Sequence, residues 1–150
     1  MNKISVIIPF YNDFQVVDHT LKSIFAQTFS DLEVILVDDG SNPPFESKKK
    51  SATHENITVI RTKNQGAPAA RNVGLDRSSG DFVIFWDADI VAEQGMLEKM
   101  QQKLKQNTQA SYCYCNYYFG NKKMAAQKFN GGLLEQRNYI HSTSLIRRKD

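Results

Sequence analysis

Four short apolar runs, each closed by a polar or acidic turn and separated by stretches of helical period, constrain this chain more than any other feature. Lys3 to Pro9 is rich in Ile and Val and ends at proline. Leu32 to Val37 runs straight into Asp38-Asp39-Gly40-Ser41, which is turn chemistry. Ile57 to Arg61 and Asp81 to Trp86 are the other two. Continuous apolar runs of this length predict strands buried on both faces. Between them, Phe14, Val17, Leu21, Ile24 and Phe25 recur at the spacing of one helix face, with Asn12 or Asp13 available as N-cap. Ala67 to Arg77 predicts a second helix, with Pro68 in its first turn and Ser78-Ser79-Gly80 closing it. Glu93 to Gln106 predicts a third, with Met96, Leu97, Met100 and Leu104 inward. Asn42 to Thr53 opens on two prolines and predicts a short helix or loop.

Strand and helix in alternation predict an α/β fold: a mostly parallel, Rossmann-like sheet with helices on both faces. With 150 residues, one domain is expected over 1–150. The apolar fraction of 41% and charged fraction of 23% exclude a disordered chain, a collagen and a coiled coil. No apolar run approaches the roughly 20 residues of a membrane span, and no signal-peptide core is present. A cytoplasmic chain is the expectation.

The net charge of +3 is too small to argue for nucleic acid. Its distribution says more. Residues 1–89 carry a net −3 and residues 90–150 a net +6. That asymmetry marks either a basic face for phosphate or anionic lipid, or a solvated surface. Beyond Thr108, Ser111 to Phe119 predicts a strand, Asn121-Lys122-Lys123 a hairpin turn, and Met124 to Phe129 a returning strand. Gly131-Gly132 predicts a break, and Ser144 to Arg147 a last short strand. Cys113 and Cys115 have no other Cys or His cluster beside them to complete a zinc site, so two buried reduced thiols are expected.

In open α/β sheets, ligands bind beyond the carboxyl ends of the strands. Three such ends carry Tyr11-Asn12, Asp38-Asp39 and Asp87-Ala88-Asp89. Asp87 and Asp89 suit a hard cation, Mg²⁺ or Mn²⁺, bridging to phosphate. The same pair also fits a solvated turn, a helix N-cap, or a phosphatase with Asp87 as nucleophile and Asp89 as general acid. Asp38 and Asp39 suit hydrogen bonds to a base or ribose, or a tight turn. Arg71 is a candidate partner for Asp39 or for a ligand, and Tyr11 for stacking on a base. No Gly-x-Gly-x-x-Gly, Gly-Lys-Ser/Thr or Gly-x-Ser-x-Gly motif follows the strands.

Several segments together carry a resemblance. They are Ser5-Val6-Ile7-Ile8-Pro9-Phe10-Tyr11-Asn12, Gln27-Thr28, Leu32 to Ser41, Asn64-Gln65-Gly66, Ala70-Arg71-Asn72-Val73-Gly74, and Ser79 to Asp89. In this order they resemble the GT-A glycosyltransferases, most closely glycosyltransferase family 2. Leu145-Ile146-Arg147-Arg148 extends the likeness more weakly. The resemblance implies a donor nucleotide-binding part over 1–106 and the start of an acceptor-side part over 107–150. It implies that Pro9, Tyr11, Asn12, Asp38, Asp39, Gly66, Arg71 and Asp87 hold a nucleoside-diphosphate sugar, a UDP-sugar above others. Asp87 and Asp89 would hold Mn²⁺ or Mg²⁺, with Asp89 in direct contact. The acceptor would be a saccharide or a lipid-linked saccharide, and the reaction would invert the anomeric centre. Peripheral attachment at the inner face of a membrane is compatible with that acceptor. The family's general base belongs to a later acidic motif. After Asp89 the only acids are Glu93, Glu98, Glu135 and Asp150, and none matches it. The base is therefore expected outside this chain, which would leave a donor-binding part without activity of its own. A non-catalytic nucleotide-binding domain is the alternative.

Overall fold

The computed structural model describes residues 3–45 and 54–150. In chain order the elements are β1 (Ile4–Phe10), α1 (Phe14–Phe25), β2 (Leu32–Asp38), β3 (Ile57–Arg61), α2 (Ala67–Arg77), β4 (Phe82–Phe85), α3 (Met96–Gln106), β5 (Tyr112–Cys113), β6 (Tyr117–Phe119), β7 (Lys122–Met124), α4 (Gly131–Gln136) and β8 (Leu145–Arg147). Six strands form one sheet in the order β3-β2-β1-β4-β8-β5, and β6 and β7 form a separate hairpin. The first four strands are parallel, as the alternation predicts. β8 runs antiparallel to both β4 and β5. A three-residue apolar run carries no direction, so sequence pattern alone was silent on that reversal.

β1 is central and buried at every residue. Its side chains alternate between two cores. Ile4, Val6, Ile8 and Phe10 join Leu32, Val34, Leu36, Ile84 and Trp86 beneath α1 and α3. Ile7 joins Ile35, Val37, Val83 and Ala70 of α2 on the opposite face. Helices therefore cover both faces. α1 buries Val17, Leu21 and Ile24, and α3 buries Leu97, Met100 and Leu104. α2 lies so close to the sheet that a Cβ on Gly74 would stand 2.3 Å from Ile7 Cγ2.

Several expectations are revised. α3 starts at Met96 rather than Glu93, because side-chain and backbone contacts described below hold Glu93–Gly95 as a loop. The predicted strand Ser111 to Phe119 divides into two. Its first part pairs with β8 and its second with β7. The hairpin turns at Gly120-Asn121, so Lys122 and Lys123 lie in β7 and Met124 ends it. Gly131-Gly132 does not break the chain. It opens α4, because the Asn130 side chain accepts from Leu133 N at 3.0 Å and caps the helix. Cys113 and Cys115 are free thiols that are half-buried against the core, not sealed within it. Burial pushes both thiol pKa values up, which keeps them protonated and unreactive. Of the stretch Asn42 to Thr53, residues 46–53 lie outside the described residues.

At the opposite end of the strands from the acidic loops, Glu33 of β2 ties three segments together. It accepts from Ser5 Oγ at 2.6 Å and Ser79 N at 2.6 Å, and pairs with Lys3 Nζ at 2.7 Å. Burial alone would raise its pKa. The bonds from Lys3, Ser5 and Ser79 outweigh that and lower it to about 2.

Two outcomes follow. Gly74→Ala would gain about 1 kcal/mol of helix propensity. Overpacking against Ile7 costs about 1–3 kcal/mol. A net loss of stability in urea unfolding is expected, and a gain would contradict the close contact. Glu33 has a folded pKa below its unfolded value of 4.5, so its contribution is present above pH 4.5 and is lost as pH falls towards 2. Glu33→Gln should lower stability by roughly 1–2 kcal/mol at pH 7. The gap from wild type should shrink steadily in urea titrations between pH 4.5 and pH 2.

Candidate active site

The strand order turns at β1, which has β2 on one side and β4 on the other. The crevice of such a sheet opens at the carboxyl ends of those strands. The residues after β1, β2 and β4 are Tyr11-Asn12, Asp39-Gly40-Ser41 and Trp86 to Asp89, so the sheet brings the three predicted clusters to one edge. Pro9 lies within β1 and is buried.

The first two loops are stitched together. Asn12, at a φ of 57°, donates its backbone N–H to Ser41 Oγ at 2.9 Å. Its side-chain oxygen accepts from Asn42 N at 2.7 Å. Tyr11 is left half exposed at the edge.

Asp38 and Asp39 are almost wholly buried, at 1% and 4% exposure, and their carboxylates are fully engaged. Asp38 accepts from Ser41 N at 2.8 Å, Phe45 N at 3.1 Å and Arg61 Nη1 at 2.7 Å. Burial pulls its pKa up, but the bonds from Ser41 and Phe45 and the Arg61 charge bring it below the usual carboxylate range. Asp39 accepts from Thr62 Oγ1 at 2.9 Å, Gln65 N at 3.1 Å and Gly66 N at 2.7 Å. Its negative charge sits at the start of α2, where the helix dipole is positive. Gly40 must be glycine: its φ is +80° and a Cβ would meet Asn64 N at 2.7 Å.

Arg71 does not meet Asp39. It reaches from α2 to Asp87, with Nη2 at 2.5 Å from Oδ1. Ser142, far along the chain, donates to the other oxygen at 2.8 Å. Asp87 is thus held on both sides. Asp89 is exposed, and among the described residues its carboxylate has no hydrogen-bond or ion-pair partner. Among those residues no group of three or more His, Cys, Asp or Glu gathers to bind a metal. That does not exclude Mg²⁺ or Mn²⁺. Such ions usually take one or two protein carboxylates and fill the remaining positions with phosphate and water. A free carboxylate next to an anchored one fits an ion carried in with a diphosphate.

Residues without an assigned chemical role position this loop. Thr20 Oγ1 on α1 lies 2.5 Å from Ala88 O and 3.1 Å from Ile90 O. Trp86 Nε1 donates to Ile90 O at 3.0 Å. Gln27 donates to Glu93 O at 2.9 Å and accepts from Leu97 N at 3.1 Å. Thr28 N donates to Gln94 O at 2.9 Å. The Gln27-Thr28 pair therefore clamps the chain between the acidic loop and α3. Gln27-Thr28 is among the segments that carry the resemblance, which gives the pair no role, and nothing in the sequence points to the contact of Ser142 with Asp87.

Beside Asp87 and Asp89 lies a cavity of about 650 Å³. α3 contributes Lys99 to its wall, the β6–β7 hairpin contributes Tyr117, Tyr118, Phe119 and Lys123, and His141 completes it. His141 Nδ1 accepts from Thr143 N at 3.1 Å, which leaves the proton of the neutral ring on Nε2.

A mainly parallel sheet with helices on both faces is the fold of GT-A glycosyltransferases. The structure of S. aureus TarS 1-349 in complex with UDP-GlcNAc shares the fold, with a TM-score of 0.79 and 24% identity over 97% of this chain and 45% of that one. A mannosyltransferase from Pyrobaculum calidifontis, in complex with GDP-Man and Mn2+, matches with a TM-score of 0.64 and 25% identity over 75% of this chain and 34% of that one. The model of glycosyl transferase family 2 matches residues 5–148, and the chain belongs to that family. The cholesterol galactosyltransferase of Borreliella burgdorferi is 36% identical over 78% of this chain and 33% of its own length. The chain thus spans between a third and a half of these proteins. Family membership sets the phosphatase reading of Asp87 and Asp89 aside.

The engaged carboxylates make a ligand-free test possible. Asp39→Ala removes the acceptor for Gln65 N, Gly66 N and Thr62 Oγ1. It should cost about 2–4 kcal/mol in chemical unfolding without any nucleotide. An unchanged midpoint would mean that Asp39 serves only a ligand.

Proposed function

We propose that this chain is the donor-binding part of an inverting glycosyltransferase that moves a sugar from a nucleoside-diphosphate sugar, a UDP-sugar first, to an acceptor hydroxyl. The observation that carries the reading is the pairing of an anchored Asp87 with a partner-free Asp89 at the switch point of the sheet. The UDP-GlcNAc complex of TarS and the lipid acceptor named for the galactosyltransferase support the ligand classes.

In this reading residues 1–106 bind the donor and 107–150 begin the acceptor side. Tyr11 stacks on the base beside Asn12, while Pro9, buried in β1, supports the strand end from which both project without touching the ligand. Asp38 and Asp39 order the loops around it, and Asp39 presents the Gly66 end of α2 to the nucleotide. Arg71 and Ser142 fix Asp87, which orients the neighbouring loop, and Asp89 reaches the divalent cation. When bound, Mn²⁺ or Mg²⁺ neutralises charge on the departing diphosphate. The acceptor oxygen attacks the anomeric carbon as the bond to the diphosphate breaks, with inversion. The acceptor proton passes to a base supplied from elsewhere. Preorganised charge beside the leaving group lowers the barrier without reorganisation at the moment of reaction.

Scanning calorimetry tests this. UDP with Mn²⁺ at a hundredfold excess over Kd should raise Tm by about 5–10 °C. Asp89→Asn should remove the Mn²⁺-dependent part of that rise. A full rise in the variant would refute the metal role. Donor turnover by the chain with no added domain would contradict the placement of the base outside it.

A further inference from the structure

Residues 99–134 contain six lysines and not one Asp or Glu. Most of the exposed aromatic surface falls in the same stretch. Among the described residues, five large apolar or aromatic side chains are half exposed or more, and three of them are here: Tyr118 at 61%, Phe119 at 81% and Phe129 at 58%. The hairpin organises them. Across β6 and β7, Tyr118 stands opposite Lys123 and Phe119 opposite Lys122. Alternation puts the first pair on one face and the second on the other, so each face of the tip carries one aromatic ring and one ammonium.

The hairpin is a held platform rather than a loose loop. The Tyr117 ring packs 4.7 Å from His141. Asn116 Oδ1 accepts from Ala126 N at 2.7 Å, and Tyr114 OH donates to Gln127 O at 2.7 Å. Tyr112 meets Phe129 edge-on at 6.3 Å. Lys99 of α3 and Lys123 of the hairpin line one cavity, so the helix and the hairpin present their lysines to the same region. Lys103, one turn beyond Lys99 and also exposed, continues that row.

We propose that the β6–β7 hairpin, with the exposed lysines of α3 beside it, is a docking surface for an anionic lipid bilayer. Aromatic side chains that settle at the headgroup level, with Lys103 and Lys122 exposed and outside the cavity that Asp87, Asp89 and Glu93 also line, supply the two signals that stable attachment needs. Phe119, at 81% exposure, and Tyr118, at 61%, are the apolar half of that surface. The net positive charge of residues 99–134 favours an anionic bilayer as the partner. The donor-binding reading is not required for this attachment. A membrane seat would also bring the cavity beside Asp87 and Asp89 close to a lipid-linked acceptor, and that consequence alone rests on the proposed function.

Flotation with vesicles of phosphatidylcholine containing roughly 30% phosphatidylserine tests the proposal. The chain should float with these vesicles and not with pure phosphatidylcholine, and added salt should weaken binding. Lys122→Gln with Lys103→Gln should weaken it about 25-fold, near fivefold per lysine. Phe119→Ser should weaken it further. Lys22→Gln with Arg77→Gln removes the same charge from exposed sites on α1 and α2, and should change binding by less than about threefold. All of these residues are exposed, and unfolding curves should coincide with wild type. Absence of flotation with anionic vesicles, or equal loss in the two double variants, would overturn the proposal. The first result would point to a protein segment as the occupant, the second to bulk charge alone. Neither touches the calorimetric test of donor binding, so the two readings fail separately.

Discussion

The structure depends on β1 lying between β2 and β4. Parallel pairing on both sides buries every residue of the strand and feeds apolar side chains to two cores at once. The reversal of strand order at this point is what leaves a crevice at the carboxyl edge. If β1 stood at the edge of the sheet, Asn12, Asp39 and Asp87 would not share a neighbourhood. The tight seat of α2, made possible by Gly74, then carries Arg71 to within a hydrogen bond of Asp87.

Four carboxylates at one edge would repel each other if all were left bare. They are treated differently. Asp38 is neutralised by Arg61 and backbone N–H groups. Asp39 sits on the positive end of α2. Asp87 is compensated by Arg71. Asp89 alone keeps an uncommitted charge in water. The physical consequence is a division of labour at one edge: the buried acids hold loops in place, and the exposed one is left without a partner among the described residues.

Much of this was legible in the residues. The apolar runs ending in Asp-Asp-Gly-Ser and Asp-Ala-Asp placed strands and loops within a residue or two. The unbroken apolar runs of β1 and β2 pointed to burial on both faces, which is what the sheet shows. Other parts were not legible. The break between Cys113 and Tyr117 depends on which partner each short segment finds, β8 or β7, and those partners lie up to 35 residues away. Glycines at 131 and 132 suggested a break, but one capping side chain on Asn130 reversed their local preference. The sequence offers Arg71 to Asp39 or to a ligand and not to Asp87, because Asp39 and Asp87 stand at the same edge and only the approach of α2 selects between them.

By itself, the sequence determined the layered α/β class, the buried strands, and the residue types that can meet phosphate and metal. Periodicity and turn chemistry are local, and short segments carry them in full. Only the tertiary structure decided which carboxylate is consumed by the fold and which is left unpaired among the described residues, that Gln27 clamps the approach to α3, that Ser142 holds Asp87, and that Lys99 of α3 and Lys123 of the hairpin line one cavity. Each of those depends on contacts between residues far apart in the chain. Such contacts are set by packing geometry, which no local pattern encodes.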